Sequence, residues 1–366
     1  MFNLLEVLTN LRPVIDPESK IAIQIGNLSI AWYAIIILSG AIVGTLFGYY
    51  RFGKRLGLNG DVVLTGLTLG LIFGILGARL YYVIFSASAG EAVYDSFWDI
   101  INPRSGGLAI HGGIIAAAIF LPIYCKKKRI KLLPLLEIAM PLILFAQVVG
   151  RWGNFMNQEA FGGLVQVEGL SQFGELSRHT VLSDEILMAQ RTALSQLLVP
   201  EFIINRMYVQ YSSASGFICA GYYYPTFYFE SMLNLIGIII YMIVRKYWKK
   251  ILVGDGISFY LIWYGIVRFF IETMRTDPLL LGHTGIKVAE LTSIIYIIVG
   301  LLWIIIRRVK HYQIISCYDA LYQEGATIMQ ESLEEEEKES WFTRFKKRYF
   351  KKKEPKNQEE DNDNTK

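Results

Sequence analysis

Two arginines, Arg151 and Arg268, sit against or inside apolar runs of the length that crosses a bilayer. Arg151 belongs to Gly150-Arg151-Trp152-Gly153-Asn154-Phe155-Met156-Asn157-Gln158-Glu159, where the apolar run Leu132 to Val149 stops. A guanidinium grips a phosphate through a planar fork and keeps its charge at any physiological pH. Glycines beside it let backbone N–H groups approach an anion closely. Arg268 precedes Glu272 by one helical turn, so the two can pair on one helix face. His111, followed by Gly112-Gly113, has the side chain best suited to move protons near neutrality. The chemistry these residues allow is the handling of an anionic, membrane-borne substrate with a proton transfer. The competing readings are a snorkelling arginine at a helix stop and a structural ion pair, but ionisable groups at membrane depth are functional by default. The His, Cys and Asp residues have no metal spacing, and no Ser-His-Asp arrangement or phosphate loop is present.

The elements that must position these residues are membrane spans. The 366 residues are 53% hydrophobic and 19% charged, with mean hydropathy +0.36, which is rare in a soluble domain. A span needs roughly 20 apolar residues. The pattern predicts seven, at about 30–50, 62–85, 108–124, 132–149, 225–244, 257–274 and 287–306. Trp32 and Tyr33 stand at the start of the first, where aromatics favour the interface. The fold class expected is an all-α polytopic membrane protein, with residues 1–310 as the membrane domain and 151–224 as a sizeable extracytoplasmic segment. No cleavable signal peptide is visible in the first 20 residues, and no internal repeat is apparent. Cys125, Cys219 and Cys317 do not make a disulfide framework.

Basic clusters follow spans one, three, five and seven: Arg51/Lys54/Arg55, Lys126–Arg129, Arg245/Lys246/Lys249/Lys250 and Arg307/Arg308/Lys310. The positive-inside rule then puts the N-terminus outside and the C-terminus in the cytoplasm. Under that topology Tyr33, Arg79, His111, Arg151, Glu230, Arg268 and Glu272 gather in the outer leaflet. A transporter would need polar groups at both faces and broken helices near the midplane; Glu137 and Gln147 in span four are the groups that point that way. A structural membrane protein would leave the converging arginines without a use.

The chain closely resembles the bacterial prolipoprotein diacylglyceryl transferases over about residues 20–310. The stretch Gly150 to Gly162 resembles the family signature nearly residue for residue. His111-Gly112-Gly113, Trp32-Tyr33 and Tyr264-Gly265-Ile266-Val267-Arg268-Phe269-Phe270-Ile271-Glu272 match further family motifs. In place of the family's usual His-Pro at the start of span five, this chain has Tyr224-Pro225, followed by Glu230. The segment around 165–197 is longer and more helical than the family pattern.

The resemblance implies transfer of the diacylglyceryl group of phosphatidylglycerol to the lipobox cysteine thiol of a prolipoprotein. A thioether forms and glycerol phosphate leaves, as the first step of bacterial lipoprotein maturation. It implies His111, Arg151 and Arg268 as catalytic residues, with His111 the best base for the thiol. Tyr33, Arg151, Asn154, Glu159, Gly162, Glu230, Arg268 and Glu272 are implied to bind phosphatidylglycerol. The implied location is the bacterial plasma membrane, with the site facing the outer leaflet. The implied partners are phosphatidylglycerol, signal peptides of prolipoproteins and membrane lipids, with no cofactor, metal or nucleic acid.

Residues 311–366 lie beyond the resemblance and read as a charged cytoplasmic tail, partly disordered. Trp341, Phe342, Phe345, Tyr349 and Phe350 recur at helical spacing among lysines and arginines over 341–353. This is the pattern of a basic amphipathic helix lying on an anionic membrane surface.

Overall fold

Large apolar side chains crowd the outside of the helices. Val43, Leu46 and Phe47, Ile236, Ile239 and Ile243, and Ile295, Ile298, Leu302 and Ile305 are all exposed. An aqueous protein does not present so continuous an apolar surface; a bilayer accepts it. The computed structural model describes residues 11–13, 21–26, 28–88, 96, 98, 100, 107–173, 176–177, 180–210, 219–275, 285–310 and 316–322. The expected amphipathic helix at 341–353 lies outside these residues.

A short antiparallel hairpin, β1 (Ile21–Ile25) and β2 (Leu28–Ala31), leads into α1 (Trp32–Gly48). A π-helical turn, Tyr49–Gly53, closes α1. Then follow α2 (Gly60–Ser88), α3 (Ile110–Lys128) and α4 (Leu132–Asn157). Between α4 and the next long helix lie α5 (Asp184–Gln196), α6 (Glu201–Arg206) and a two-stranded ribbon of β3 (Tyr208–Val209) and β4 (Gly221–Tyr222). The long helices α7 (Thr226–Tyr247), α8 (Asp255–Met274) and α9 (Val288–Val309) and the short α10 (Cys317–Tyr322) complete the described fold.

Among the described residues, six helices are long and apolar enough to cross a membrane: α1 with its π turn, α2, α4, α7, α8 and α9. This is a mostly helical, multi-pass membrane protein. The expected third span is present as α3 but is not one of those six. Its apolar part stops at Cys125, where three lysines follow. That leaves about 16 residues, or roughly 24 Å at 1.5 Å per residue, short of the hydrocarbon thickness.

Glycines set how the long helices meet. Gly40 lies against Val149, Gly44 against Phe145 and Gly48 against Leu142, so α1 runs antiparallel to α4; a Cβ at Gly48 would lie 2.3 Å from Leu142 Cδ1. Gly77 and Gly112 bring α2 and α3 into backbone contact, and a Cβ at Gly112 would be 2.2 Å from the Gly77 oxygen. Small residues at a crossing admit this approach and replace the hydrophobic drive that lipid does not supply. Pro122 and Pro141 sit inside α3 and α4 without ending them, as neighbouring spans allow.

The contacts also fix which helix ends lie together. Arg245 Nη1, at the end of α7, is 3.9 Å from Glu137 near the start of α4. Arg307, at the end of α9, pairs at 3.1 Å with Asp255 at the start of α8. All these basic helix ends therefore share one end of the bundle. The described residues of 158–224 pack at the other end around Leu187, Leu194, Ile203, Ile204, Tyr222 and Phe227.

The stretch beyond α9 does not begin as a free tail. Cys317, Ala320 and Leu321 of α10 are buried in the apolar cluster that holds Phe52, Leu56 and Ile138. The Cys317 N–H donates to the Ile251 carbonyl at 2.7 Å. Burial pushes the Cys317 thiol well above its ordinary value. Cys125, Cys219 and Cys317 are all free and buried.

Candidate active site

Helix α4 continues two turns past the end of its apolar run, to Asn157, and stops on Gln158 in the left-handed region at φ 53°. Arg151 is therefore a helical residue, and so are Gly150 and Gly153. These glycines do not form the backbone cradle that the sequence invites. Gly153 instead makes room for a ring: a Cβ there would lie 2.2 Å from Tyr33 Cδ2. The ring of Tyr33, at the start of α1, is thus set against the last turns of α4. Gly162 is equally a packing position, since a Cβ would meet Met274, Thr226 and Tyr224 at 3.0 Å. Its N–H donates to the Tyr224 carbonyl at 2.8 Å. The tyrosine standing where the family has histidine therefore ties the start of α7 to the signature stretch through its backbone.

Arg151 Nη2 donates to Glu230 Oε1 at 2.6 Å, and Arg268 Nη1 lies 3.5 Å from Glu230 Oε2. One carboxylate, 1% exposed, thus lies between two guanidiniums carried by α4 and α8. Arg268 Nη2 also pairs with Glu272 at 2.7 Å, the i, i+4 pair expected along α8. Asn154 donates to Glu159 at 3.2 Å and Asn157 to the same oxygen at 3.1 Å. Arg151 Nη1 approaches Asn154 Oδ1 at 3.5 Å. Glu159 and Arg151 are also close enough to act electrostatically on the Tyr33 hydroxyl. Seven expected residues are thereby brought together: Tyr33, Arg151, Asn154, Glu159, Glu230, Arg268 and Glu272.

Two expected residues are placed elsewhere. His111 is exposed on α3 and stacks on Tyr81, ring centroids 6.0 Å apart. None of the ion pairs around Glu230 includes it. Arg79 is buried on α2 and donates to the carbonyls of Ile100 at 3.0 Å and Gly107 at 3.2 Å. These bonds hold the approach to α3 in place.

The structure also adds residues to the site. Tyr264, one turn before Arg268, is close enough to Glu230, Arg151 and Arg268 to interact with them electrostatically. It stacks on Tyr260 at 5.7 Å, and Gln147 Nε2, one turn before Arg151, bonds the Tyr260 hydroxyl at 3.0 Å. In the sequence Tyr264 opens the motif that holds Arg268 and Gln147 stands out as a polar group in span four, whereas Tyr260 carries no such signal.

A second buried polar cluster lies at the basic end. Glu137 is fully buried; it accepts from the backbone N–H groups of Gly254 at 2.8 Å and Gly256 at 2.9 Å, and from the Tyr241 hydroxyl. Arg245 lies over the Phe52 ring at 4.4 Å. Every strong acceptor in this cluster is saturated from within the protein, which is the mark of an architectural network.

The arginine cluster can hold a phosphate. A guanidinium has five N–H donors, and the pairs to Glu230, Glu272 and Asn154 engage only part of them. No group of His, Cys, Asp and Glu among the described residues could hold a metal ion.

Residues 20–306 match the family described as prolipoprotein diacylglyceryl transferase. Curated relatives from Bacillus cereus (strain G9842), Bacillus mycoides (strain KBAB4) and Bacillus cytotoxicus are each 38% identical over 289 residues. The match spans 79% of this chain and 92% of each relative. All three are named phosphatidylglycerol--prolipoprotein diacylglyceryl transferase. With the family model matched from the first strand into the last long helix, and relatives of that name 38% identical over 79% of its length, the chain belongs to the prolipoprotein diacylglyceryl transferase family.

Proposed function

We propose that this chain moves the diacylglyceryl group of phosphatidylglycerol onto the lipobox cysteine thiol of prolipoproteins, the first step of bacterial lipoprotein maturation. The observation that carries the reading is the pair Arg151 and Arg268 sharing buried Glu230, in a family whose relatives bear the transferase name. The thiolate sulfur attacks the glyceryl carbon bonded to the phosphate oxygen. The carbon–oxygen bond breaks, its electron pair stays on that oxygen, and glycerol phosphate leaves. A phosphodiester monoanion becomes a monoester with more negative charge. Arg151 and Arg268 meet that growing charge, which favours the transition state over the ground state. Asn154 and Tyr33 hydrogen-bond phosphate or glycerol oxygens, and Glu159, Glu230 and Glu272 orient the arginines and the headgroup. No covalent enzyme intermediate is needed, because the sulfur comes from the substrate.

The same reading has the chain crossing the plasma membrane seven times, with α3 as the third span. The basic ends face the cytoplasm and the arginine site opens to the outer leaflet. His111, away from the arginine pairs, is assigned to the incoming thiol, whose ordinary pKa of about 8.5 leaves it mostly protonated at neutrality. Purified protein given labelled phosphatidylglycerol and a lipobox peptide should yield a peptide carrying a thioether-linked lipid; folded protein that forms none would overturn the reading. His111→Gln should bind phosphatidylglycerol almost normally and turn over slowly. Raising the pH should partly restore its rate, because more thiol ionises unaided. Loss of lipid binding instead would make His111 a headgroup ligand.

A further inference from the structure

The corner between α5 and α6 turns large apolar side chains away from the protein. Leu198 is 82% exposed, Phe202 55% and Leu197 50%. Leu198 adopts φ +58°, a conformation that side chains bearing a Cβ rarely take. The neighbouring residue does the opposite: Val199 is buried, and its N–H donates to the Leu194 carbonyl at 3.2 Å. The turn is therefore clamped with Val199 inward and Leu198 outward.

The corner is also held at a defined depth. Phe202 stacks on Trp152 with centroids 6.3 Å apart and planes 15° apart, and meets Phe155 edge-on at 5.9 Å. The Tyr228 hydroxyl, in the first turn of α7, donates to the Leu198 carbonyl at 3.0 Å. Arg206 Nη2 donates to the Met156 carbonyl at 3.2 Å, and Gln158 Nε2 to the Arg206 carbonyl at 2.8 Å. Helix α4 enters its span at Leu132, just after Lys131. About 20 residues cross roughly 30 Å of hydrocarbon, so the far boundary falls close to Trp152. Tyr228 stands at the same level from the start of α7. Trp152 and Tyr228 thus sit where amphipathic rings favour the interface, Phe155, Phe202 and Phe227 pack around Trp152, and the leucine corner adjoins them.

We infer that the Leu197–Leu198–Phe202 corner is a membrane anchor of the extramembrane segment, seated in the interfacial region of the leaflet next to the arginine site. Its partner is the lipid surface itself, because at this depth the medium beside the spans is headgroup and upper acyl chain. Insertion buries three large side chains that the fold leaves uncovered. It also pins the segment 158–224 against the bilayer by a contact that no span provides.

The full chain in vesicles of phosphatidylcholine with some phosphatidylglycerol tests this. An environment-sensitive fluorophore is attached at Leu198→Cys or Leu197→Cys, and for reference at Glu185→Cys on the exposed start of α5; unmodified protein serves as the blank for the buried native thiols. The two corner probes should be quenched several-fold more by lipids spin-labelled near the ester end of the chain than by aqueous iodide. The Glu185→Cys probe should show the reverse. Corner probes that iodide reaches freely and no spin-labelled lipid touches would overturn the anchor. So would protection that arises only when a signal peptide is added, which would give the surface to a polypeptide. Equal thermal midpoints for labelled and parent protein establish that the corner has kept its fold.

Discussion

Glu230 has two basic neighbours and almost no water. A buried carboxylate in that position is the shared counter-ion of Arg151 and Arg268, and removing it leaves Arg151 without its acidic partner and Arg268 with Glu272 alone. Breaking a buried ion pair from one side costs about 3–5 kcal/mol. Glu230→Gln should therefore lower the thermal midpoint of the detergent-solubilised protein as well as its activity, and an unchanged midpoint would show that the arginines do not depend on it. Arg151→Lys keeps the charge but loses the fork. One or two hydrogen bonds to a charged group, at about 1.5–3 kcal/mol each, put the fall in kcat/KM at roughly 10-fold to more than 100-fold. Near-normal turnover at matched protein level would argue against bidentate phosphate contact. These residues were legible in the sequence because an ionisable side chain stands out among apolar ones. Tyr260 was not, since a tyrosine in a span rich in aromatics reads as packing, and Gln147 stood out only as a polar group that pointed towards a transporter. Gly153 misled for a related reason: a glycine signals close approach without saying what approaches, and here it is the ring of Tyr33.

Element positions were legible wherever a run of apolar residues met a basic cluster, and less so where a helix outlasts its apolar part. Helix α4 runs on to Asn157 because the polar groups of the signature are paired with one another, with Glu230 of α7 and with Arg206 of α6, so they extend the helix without needing lipid around them. Helix α10 escaped notice because it has only six residues and no period to read; its burial comes from Phe52, Leu56 and Ile138, which are distant in sequence. That placement makes two truncations unequal. Ending the chain after Gln323 keeps α10 and should leave transferase activity largely intact. Ending it after Lys310 strips Cys317, Ala320 and Leu321 from the basic end. Since Leu321 alone is worth about 1.5–3 kcal/mol of burial, that protein should melt lower and accumulate less. Equal midpoints for the two truncations would show α10 to be dispensable.

Across the whole molecule the polar interior is divided between two ends. Arg151, Glu230 and Arg268 lie at one, and Glu137, Arg245, Asp255 and Arg307 at the other. Charge alternation along the sequence made this division legible, because each basic cluster marks the same end. The orientation in the cell is checked from outside: a cysteine at Ser171 should react with an impermeant thiol reagent added to intact cells, and one at Asn357 only after permeabilisation. The reverse pattern would overturn the orientation. The glycine seam of α1 also bears on how the protein is made. Gly40, Gly44 and Gly48 fit α4, yet α2 and α3 are synthesised between them. At about 5–20 residues per second, the first helix waits for several seconds in the bilayer before its partner leaves the ribosome. Through that interval its small-residue face is bare to lipid and to other nascent helices, until α4 arrives to cover it.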